Sequence, residues 1–107
     1  MIFSINEIEW SVIHIPISDD MLMRSDGSRT VGVTDTESKT VYIADGLMPD
    51  FERKVLCHEI THCAMFSYGV DLSIEQEELI ADLISTYGEE IVDITNDVFG
   101  RLKKRVA

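Results

Sequence analysis

Hydrophobic and polar residues alternate along the first half of the chain, which is typical of strands that have one buried face. The alternation predicts a strand over residues 11–15 and a hairpin with strands at residues 30–34 and 39–44. Residues 1–10 are ambiguous and fit a short helical turn. We therefore expect a small antiparallel sheet of about three strands.

Apolar residues follow a helical repeat from residue 49 onward. Pro49 suits the first position of a helix and Gly69 suits the position behind its end, so the first helix is predicted over residues 49–67. This segment is apolar around most of its circumference. Such a pattern is typical of a buried helix.

Ser73 and Gln76 have the spacing of a capping box, in which each side chain bonds the backbone N–H of the other residue. They predict a second helix over about residues 74–87. Gly88 is a candidate for a kink or a break, and a further amphipathic stretch continues over residues 88–104. The apolar stripe of this stretch suits either packing against the core or contact with a second copy.

Length and composition indicate a small globular domain. The chain has 107 residues, of which 45% are hydrophobic and 27% charged, as in ordinary globular proteins. We predict a single α+β domain over residues 1–107, in which the sheet packs on the first helix and one or two C-terminal helices complete the fold. The formal net charge of −11 disfavours nucleic acid as a ligand, because phosphate binding needs clustered Lys and Arg.

The chain shows no sign of a membrane or export segment. No apolar run approaches the roughly 20 residues that span a membrane. The first residues lack the basic and apolar segments of a signal peptide. Cys57 and Cys63 are separated on the predicted helix by a rise of about 9 Å, which is too long for a disulfide. We therefore expect a cytoplasmic protein without a membrane partner.

The centre of the first predicted helix carries His58, Glu59 and His62 in an HExxH pattern. The two histidines lie one helical turn apart on one face, so both imidazoles can bind one metal ion. A glutamate beside the first histidine can take a proton from a water molecule that the metal acidifies. The motif therefore predicts a Zn²⁺ hydrolase with Glu59 as its catalytic base.

Catalytic zinc sites usually have three protein ligands, and no histidine follows His62. The second predicted helix offers carboxylates instead. Glu77 lies inside its apolar arc, which favours Glu77 as the inward-facing ligand. Glu78 lies at the edge of the arc, but Asp82 follows on the same face and can bond the free ring N–H of His58. We prefer Glu78 as the metal ligand, and Asp82 is then expected to bond His58 from outside the ligand set. Glu77 remains the alternative ligand.

These segments resemble the small gluzincin peptidases of the ImmA/IrrE type, which occur in phages and mobile elements. The resemblance lies in the strands at residues 31–34 and 40–43, the motif at residues 56–62 and the sequence Glu-Leu-Ile-Ala-Asp at residues 78–82. The family pairs HExxH with a later Glu-x-x-Ala-Asn/Asp helix, whose glutamate is the third zinc ligand. The resemblance therefore implies a zincin-like fold and favours Glu78 as that ligand.

The resemblance also implies an activity, the hydrolysis of a peptide bond in a protein substrate such as a regulator of a phage or mobile element. The alternative is a zincin-like metal-binding domain of weak or absent activity that acts as a protein-interaction module. A peptide substrate could pair with the strand at residues 39–44 if that edge of the sheet is free. Tyr42, Tyr68 and His14 are candidate donors to the oxyanion.

Overall fold

Four strands, one short 3₁₀ turn and two long helices form the fold in a computed structural model, which describes residues 1–106. The elements are β1 (Ile2–Ile5), β2 (Ile8–Ile15), the 3₁₀ turn (Asp20–Leu22), β3 (Gly32–Asp35), β4 (Thr40–Ala44), α1 (Pro49–Ser67) and α2 (Ile74–Val106). The predicted α+β class is confirmed. The sheet, however, has four strands where about three were predicted.

The additional strand belongs to an N-terminal hairpin. β1 and β2 pair antiparallel around Asn6 and Glu7, whose φ angles are both positive, at 49° and 65°. Two such residues give a turn whose twist matches that of the strands. The Nδ2 of Asn6 also donates a hydrogen bond of 2.9 Å to the carbonyl oxygen of Ser67, at the end of α1. Residues 1–10, which are ambiguous by sequence, therefore belong to a strand pair and not to the helical turn that their spacing also fits, because this distant contact and the turn geometry outweigh the local spacing.

The sheet is mixed, in the order β1-β2-β4-β3. β4 is parallel to β2 and antiparallel to β3, so the predicted hairpin is present but the sheet is not wholly antiparallel. Because β4 is paired along both edges, residues 39–44 offer no free edge, and the condition for adding a peptide there is not met. On this side of the sheet the open edge belongs to β3.

The main core lies between one face of the sheet and α1. Its buried members are Trp10, Val41, Ile43, Val55 and Cys63. The opposite face of the sheet is covered by the loop that carries the 3₁₀ turn, where Leu22 packs with Ile15 and Ala44. The sheet is therefore covered on both faces, with α1 on the face that bears the HExxH motif.

α1 has the predicted ends. Pro49 is its first residue, Ser67 its last, and Gly69 follows with a φ angle of 66°. The helix is buried where it meets the sheet and α2, but Phe51 and Phe66 are 48% and 45% exposed. Some of the apolar residues around α1 therefore pack in the core, and others lie on the exposed surface.

α2 begins at the predicted capping box. The N–H of Ser73 donates to Oε1 of Gln76 at 3.1 Å, and the N–H of Gln76 donates to Oγ of Ser73 at 3.2 Å. The break considered at Gly88 does not occur, because one glycine costs a helix only about 1 kcal/mol and keeps its backbone hydrogen bond. Within residues 1–106, neither helix combines the length and apolarity that crossing a membrane requires.

The buried indole N–H of Trp10 donates a hydrogen bond of 2.9 Å to Oγ of Ser67, so the substitution Ser67→Ala leaves this donor unpaired in the core. We expect the free energy of unfolding to fall by about 1–3 kcal/mol. Urea titration followed by tryptophan fluorescence measures it. Ser25→Ala, at an exposed loop serine, is the control and should stay within about 0.5 kcal/mol of wild type. Equal stability of the two variants would contradict the role given to this hydrogen bond.

Candidate metal centre

Two histidine side chains of α1 face the first turns of α2. Nε2 of His58 lies 3.2 Å from Nε2 of His62, and the ring centroids are 4.9 Å apart. Helical spacing explains the approach, since side chains one turn apart lie above one another on the same face. Both rings are mostly buried, with 19% and 14% of the side-chain surface exposed.

α2 adds the carboxylate of Glu78 to this pair. Its Oε2 lies 3.1 Å from Nε2 of His58, and its Oε1 lies 3.0 Å from Nε2 of His62. The three residues each offer a ligand atom, and these atoms lie within 4.8 Å of one another. The group could therefore hold a metal ion.

Two further carboxylates lie behind the histidine rings. Oδ1 of Asp82 is 3.0 Å from Nδ1 of His58, which is the contact expected from the sequence. Oε1 of Glu77 is 2.6 Å from Nδ1 of His62. Glu77 and Glu78 were alternatives for one position, whereas the structure brings both to the site, at opposite nitrogens of the same ring.

The outer carboxylates determine which ring nitrogens can bind a cation. A carboxylate at Nδ1 favours the tautomer that carries its proton there, which leaves Nε2 with a free lone pair. Two such lone pairs and the Glu78 carboxylate then face one another at 3.0–3.2 Å. These electron-pair donors repel one another unless positive charge lies among them. A divalent ion would remove the repulsion for all three at once.

Glu59 lies on the sheet side of the histidines and is only 7% exposed. Oγ1 of Thr34, on β3, donates a hydrogen bond of 2.9 Å to Oε1 of Glu59. Burial raises the pKa of the Glu59 carboxyl, and the hydrogen bond from Thr34 acts in the opposite direction. The carboxyl group is thus held in one orientation by β3 instead of moving freely in solvent.

Gly32 allows β3 to approach α1 this closely. A Cβ atom at this position would lie 2.8 Å from Cγ1 of Val55 and 3.1 Å from Cγ of Glu59. Both distances are shorter than ordinary van der Waals contacts, so any side chain here must displace its neighbours. The absence of a side chain at Gly32 therefore sets the distance between the strand and the candidate base.

A cleft of about 680 Å³ runs along β3 and opens onto this group of side chains. Residues 30–34 form one wall, and His58 and Glu78 lie at the other. A smaller cleft of about 240 Å³ lies on the His62 side. The candidate metal centre therefore lies between two depressions that both follow the open edge of the sheet.

The three residues considered as oxyanion donors lie elsewhere in the described chain. Tyr42 packs with the cluster on the opposite face of the sheet, and Tyr68, which follows the last residue of α1, has 64% of its surface exposed. Nε2 of His14 lies 2.6 Å from Oε1 of Glu52. None of the three lines either cleft, so the structure does not bring them to the site.

Two contributors were missed by sequence reasoning. The contact of Glu77 with His62 was not anticipated, although its place in the apolar arc showed that it faces inward. Thr34 shares a face of β3 with Gly32, but the sequence does not reveal that this face meets α1. The helical pattern thus indicated that Glu77 faces inward, whereas the contact of Thr34 with α1 depends on tertiary structure.

Glu77→Ala should weaken Zn²⁺ binding about 10- to 100-fold, because the partner that orients the His62 ring is lost. Competition with a chromophoric chelator measures the affinity. Glu75→Ala removes an exposed glutamate from the same helical turn and should bind zinc like wild type. His58→Ala should abolish binding. If Glu77→Ala and Glu75→Ala bind equally well, the contact with His62 does not support the metal centre.

Gly32→Ala should lower the free energy of unfolding by about 1–3 kcal/mol, because its methyl group meets Val55 and Glu59. The matched control is Gly100→Ala, where a Cβ atom has no neighbour within 4 Å. That change should leave stability unchanged or raise it, since alanine favours a helix. Urea unfolding of both variants compares them, and full stability of Gly32→Ala would contradict the tight contact.

No protein-family model matches the chain, and no curated protein matches it. What the site does is therefore inferred from its own residues. Those residues form a group that could hold a metal ion, with a buried glutamate beside it and a cleft along an open strand.

Proposed function

We propose that the protein is a zinc-dependent peptidase with a zincin-like fold, which hydrolyses a peptide bond in a protein substrate. One observation carries the proposal. Nε2 of His58, Nε2 of His62 and the carboxylate of Glu78 converge within hydrogen-bonding distance, beside the buried carboxyl of Glu59. Two histidines with one glutamate are the protein ligands of known zinc peptidases.

The donor set fits Zn²⁺ by its chemistry. Imidazole nitrogen and carboxylate oxygen are ligands that zinc accepts, and both imidazoles have outer carboxylates that raise their basicity. His58, His62 and Glu78 would hold the ion, and Asp82 and Glu77 would orient the two rings. A bound zinc ion supplies Lewis acidity, which acidifies water and polarises a carbonyl group.

Glu59 is the residue proposed to move protons. Its carboxylate accepts a proton from the attacking water as the new bond to the carbonyl carbon forms, and it returns that proton to the amine as the C–N bond breaks. Thr34 supports this role by binding Oε1 of Glu59, which leaves Oε2 without that hydrogen bond. A fixed orientation matters because a general base must lie within hydrogen-bonding reach of the proton that it takes.

The open edge of β3 is the proposed binding surface for the peptide. The carbonyl oxygen of Val31 accepts a hydrogen bond from the N–H of Ala44, so the alternation of an antiparallel pair directs the backbone groups of Gly32 and Thr34 away from β4. An extended peptide can pair with such groups as an added strand. The two clefts along β3 would then receive its side chains on either side of the metal centre.

The class of substrate follows from the resemblance to the ImmA/IrrE peptidases, which suggests a regulatory protein of a phage or mobile element. We propose a cytoplasmic location as part of the same function. In support, Cys57 and Cys63 are both free thiols. Burial raises the pKa of Cys63 to about 12, so this thiol stays neutral and unreactive in the folded core.

Glu59→Gln should keep zinc but lose about 10²- to 10⁴-fold in hydrolysis rate, because the amide cannot accept the proton. Zinc content is measured by atomic emission, and cleavage with fluorescent casein together with a peptide library read by mass spectrometry. Glu75→Gln is the matched control on an exposed residue and should retain both properties.

The same experiment separates enzyme from binding module. Equal cleavage by Glu59→Gln and wild type would exclude Glu59 as the base. If zinc-loaded wild type cleaves neither casein nor any peptide of the library, the alternative stands. In that case the domain holds its metal and acts by binding a protein partner.

A further inference from the structure

The distal half of α2 extends away from the rest of the fold. An ion pair between Arg53 and Glu89 lies where the helix leaves α1, and residues 89–104 are all exposed. The molecule measures 57 Å along its longest axis against 31 Å and 28 Å along the others. An isolated helical segment as short as residues 89–104 is only marginally stable in water unless one of its faces is buried.

This projecting segment carries an apolar stripe. The residues of the stripe are Tyr87, Ile91, Ile94, Val98 and Leu102. Their spacing of three or four residues puts them on one helical face, and each is between 40% and 55% exposed. A continuous apolar stripe on a helix without a neighbour marks a surface that another element covers.

Charge along the same segment is separated into two blocks. The acidic block is Glu89, Glu90, Asp93 and Asp97, and the basic block is Arg101, Lys103 and Lys104. The attraction of cations to a helix C-terminus explains the second block but neither the first block nor the stripe. Parallel pairing of two such helices would oppose like charges, whereas antiparallel pairing brings each acidic block beside a basic one.

We propose that the protein forms a symmetric dimer in which the distal halves of two α2 helices pair antiparallel through this stripe. A two-fold axis between Asn96 and Asp97 makes the surface self-complementary. To within one residue along the helix, it opposes Ile91 to Leu102, Ile94 to Val98, Glu90 to Lys104 and Asp93 to Arg101. The two Asp97 side chains lie near the axis, where each already pairs with its own Arg101 at 2.9 Å.

The charged partners lie on one flank of the stripe. At about 100° per residue, Glu90, Asp93, Arg101 and Lys104 all fall on the same side of the apolar face. They are therefore in position to pair across a helix–helix contact. The dimer does not depend on the metal centre, since the carboxylates of that centre belong to residues 77–82 at the other end of α2.

Sedimentation velocity of the full chain over a wide concentration range tests the proposal. Wild type should reach twice its monomer mass of 12.1 kDa. Ile94→Asp should raise the dimer dissociation constant about tenfold or more, because it places a charge in the centre of the contact. Val92→Asp, which changes an exposed apolar residue beside the stripe, is the matched control and should dimerise like wild type.

Charge reversal tests the orientation. Glu90→Lys and Lys104→Glu should each weaken an antiparallel dimer, and the double variant should restore it. The two positions are about 21 Å apart along one helix, so they cannot compensate within a single chain. Near-UV circular dichroism of Trp10, in the distant core, verifies that each variant is folded.

Three results would overturn the proposal. They are a wild-type chain that stays monomeric at every concentration, equal weakening by Val92→Asp and Ile94→Asp, or a double charge variant that dimerises no better than the single ones. A folded Ile94→Asp monomer together with recovery in the double variant supports it.

Discussion

The convergence of three candidate ligand side chains from two helices is the constraint on which the candidate site depends. The imidazoles of His58 and His62 and the carboxylate of Glu78 come from two helices that must be held at one distance. The connection between the helices is correspondingly tight. The N–H of Val70 donates to the carbonyl oxygen of Met65 at 2.8 Å, and the capping box at Ser73 fixes the first turn of α2. These hydrogen bonds fix where α2 begins relative to the end of α1.

The sheet contributes to the site through one strand. Thr34 binds the candidate base, and Gly32 lets the strand approach α1 to within contact of Val55. The backbone of the same strand borders the cleft. One short segment therefore orients the base through the Thr34 side chain and borders, with its backbone, the place where a substrate would lie.

Local signals in the sequence predicted the helices well. Pro49, Gly69 and the capping box of Ser73 and Gln76 act over a few residues, so the ends that they mark are found where expected. The spacing of His58 and His62 likewise determines their contact, because it depends on helix geometry alone. Elements whose form is decided by neighbours distant in sequence were harder to predict.

The N-terminal hairpin and the strand order illustrate that difficulty. Asn6 lies in a turn, and its side chain donates a hydrogen bond to the carbonyl oxygen of Ser67. The sequence around Asn6 does not indicate this distant partner. The interior position of β4 follows from its parallel pairing with β2, a contact between segments far apart in the chain. Glu77 lies between these cases, since its inward direction was visible in the helical pattern but its partner His62 was not.

The hydrogen bond between Trp10 and Ser67 has a consequence for the order in which the chain folds. Its two partners are 57 residues apart, so the indole has no partner until α1 has been synthesised to its last residue. β4 is synthesised before α1, but the core that β4 shares with Trp10 is complete only when α1 packs on it. Glu78 follows later still, and the ligand group is therefore completed only after the sheet and α1 can already have docked. During synthesis, His58 and His62 are therefore made before the carboxylate that completes their group.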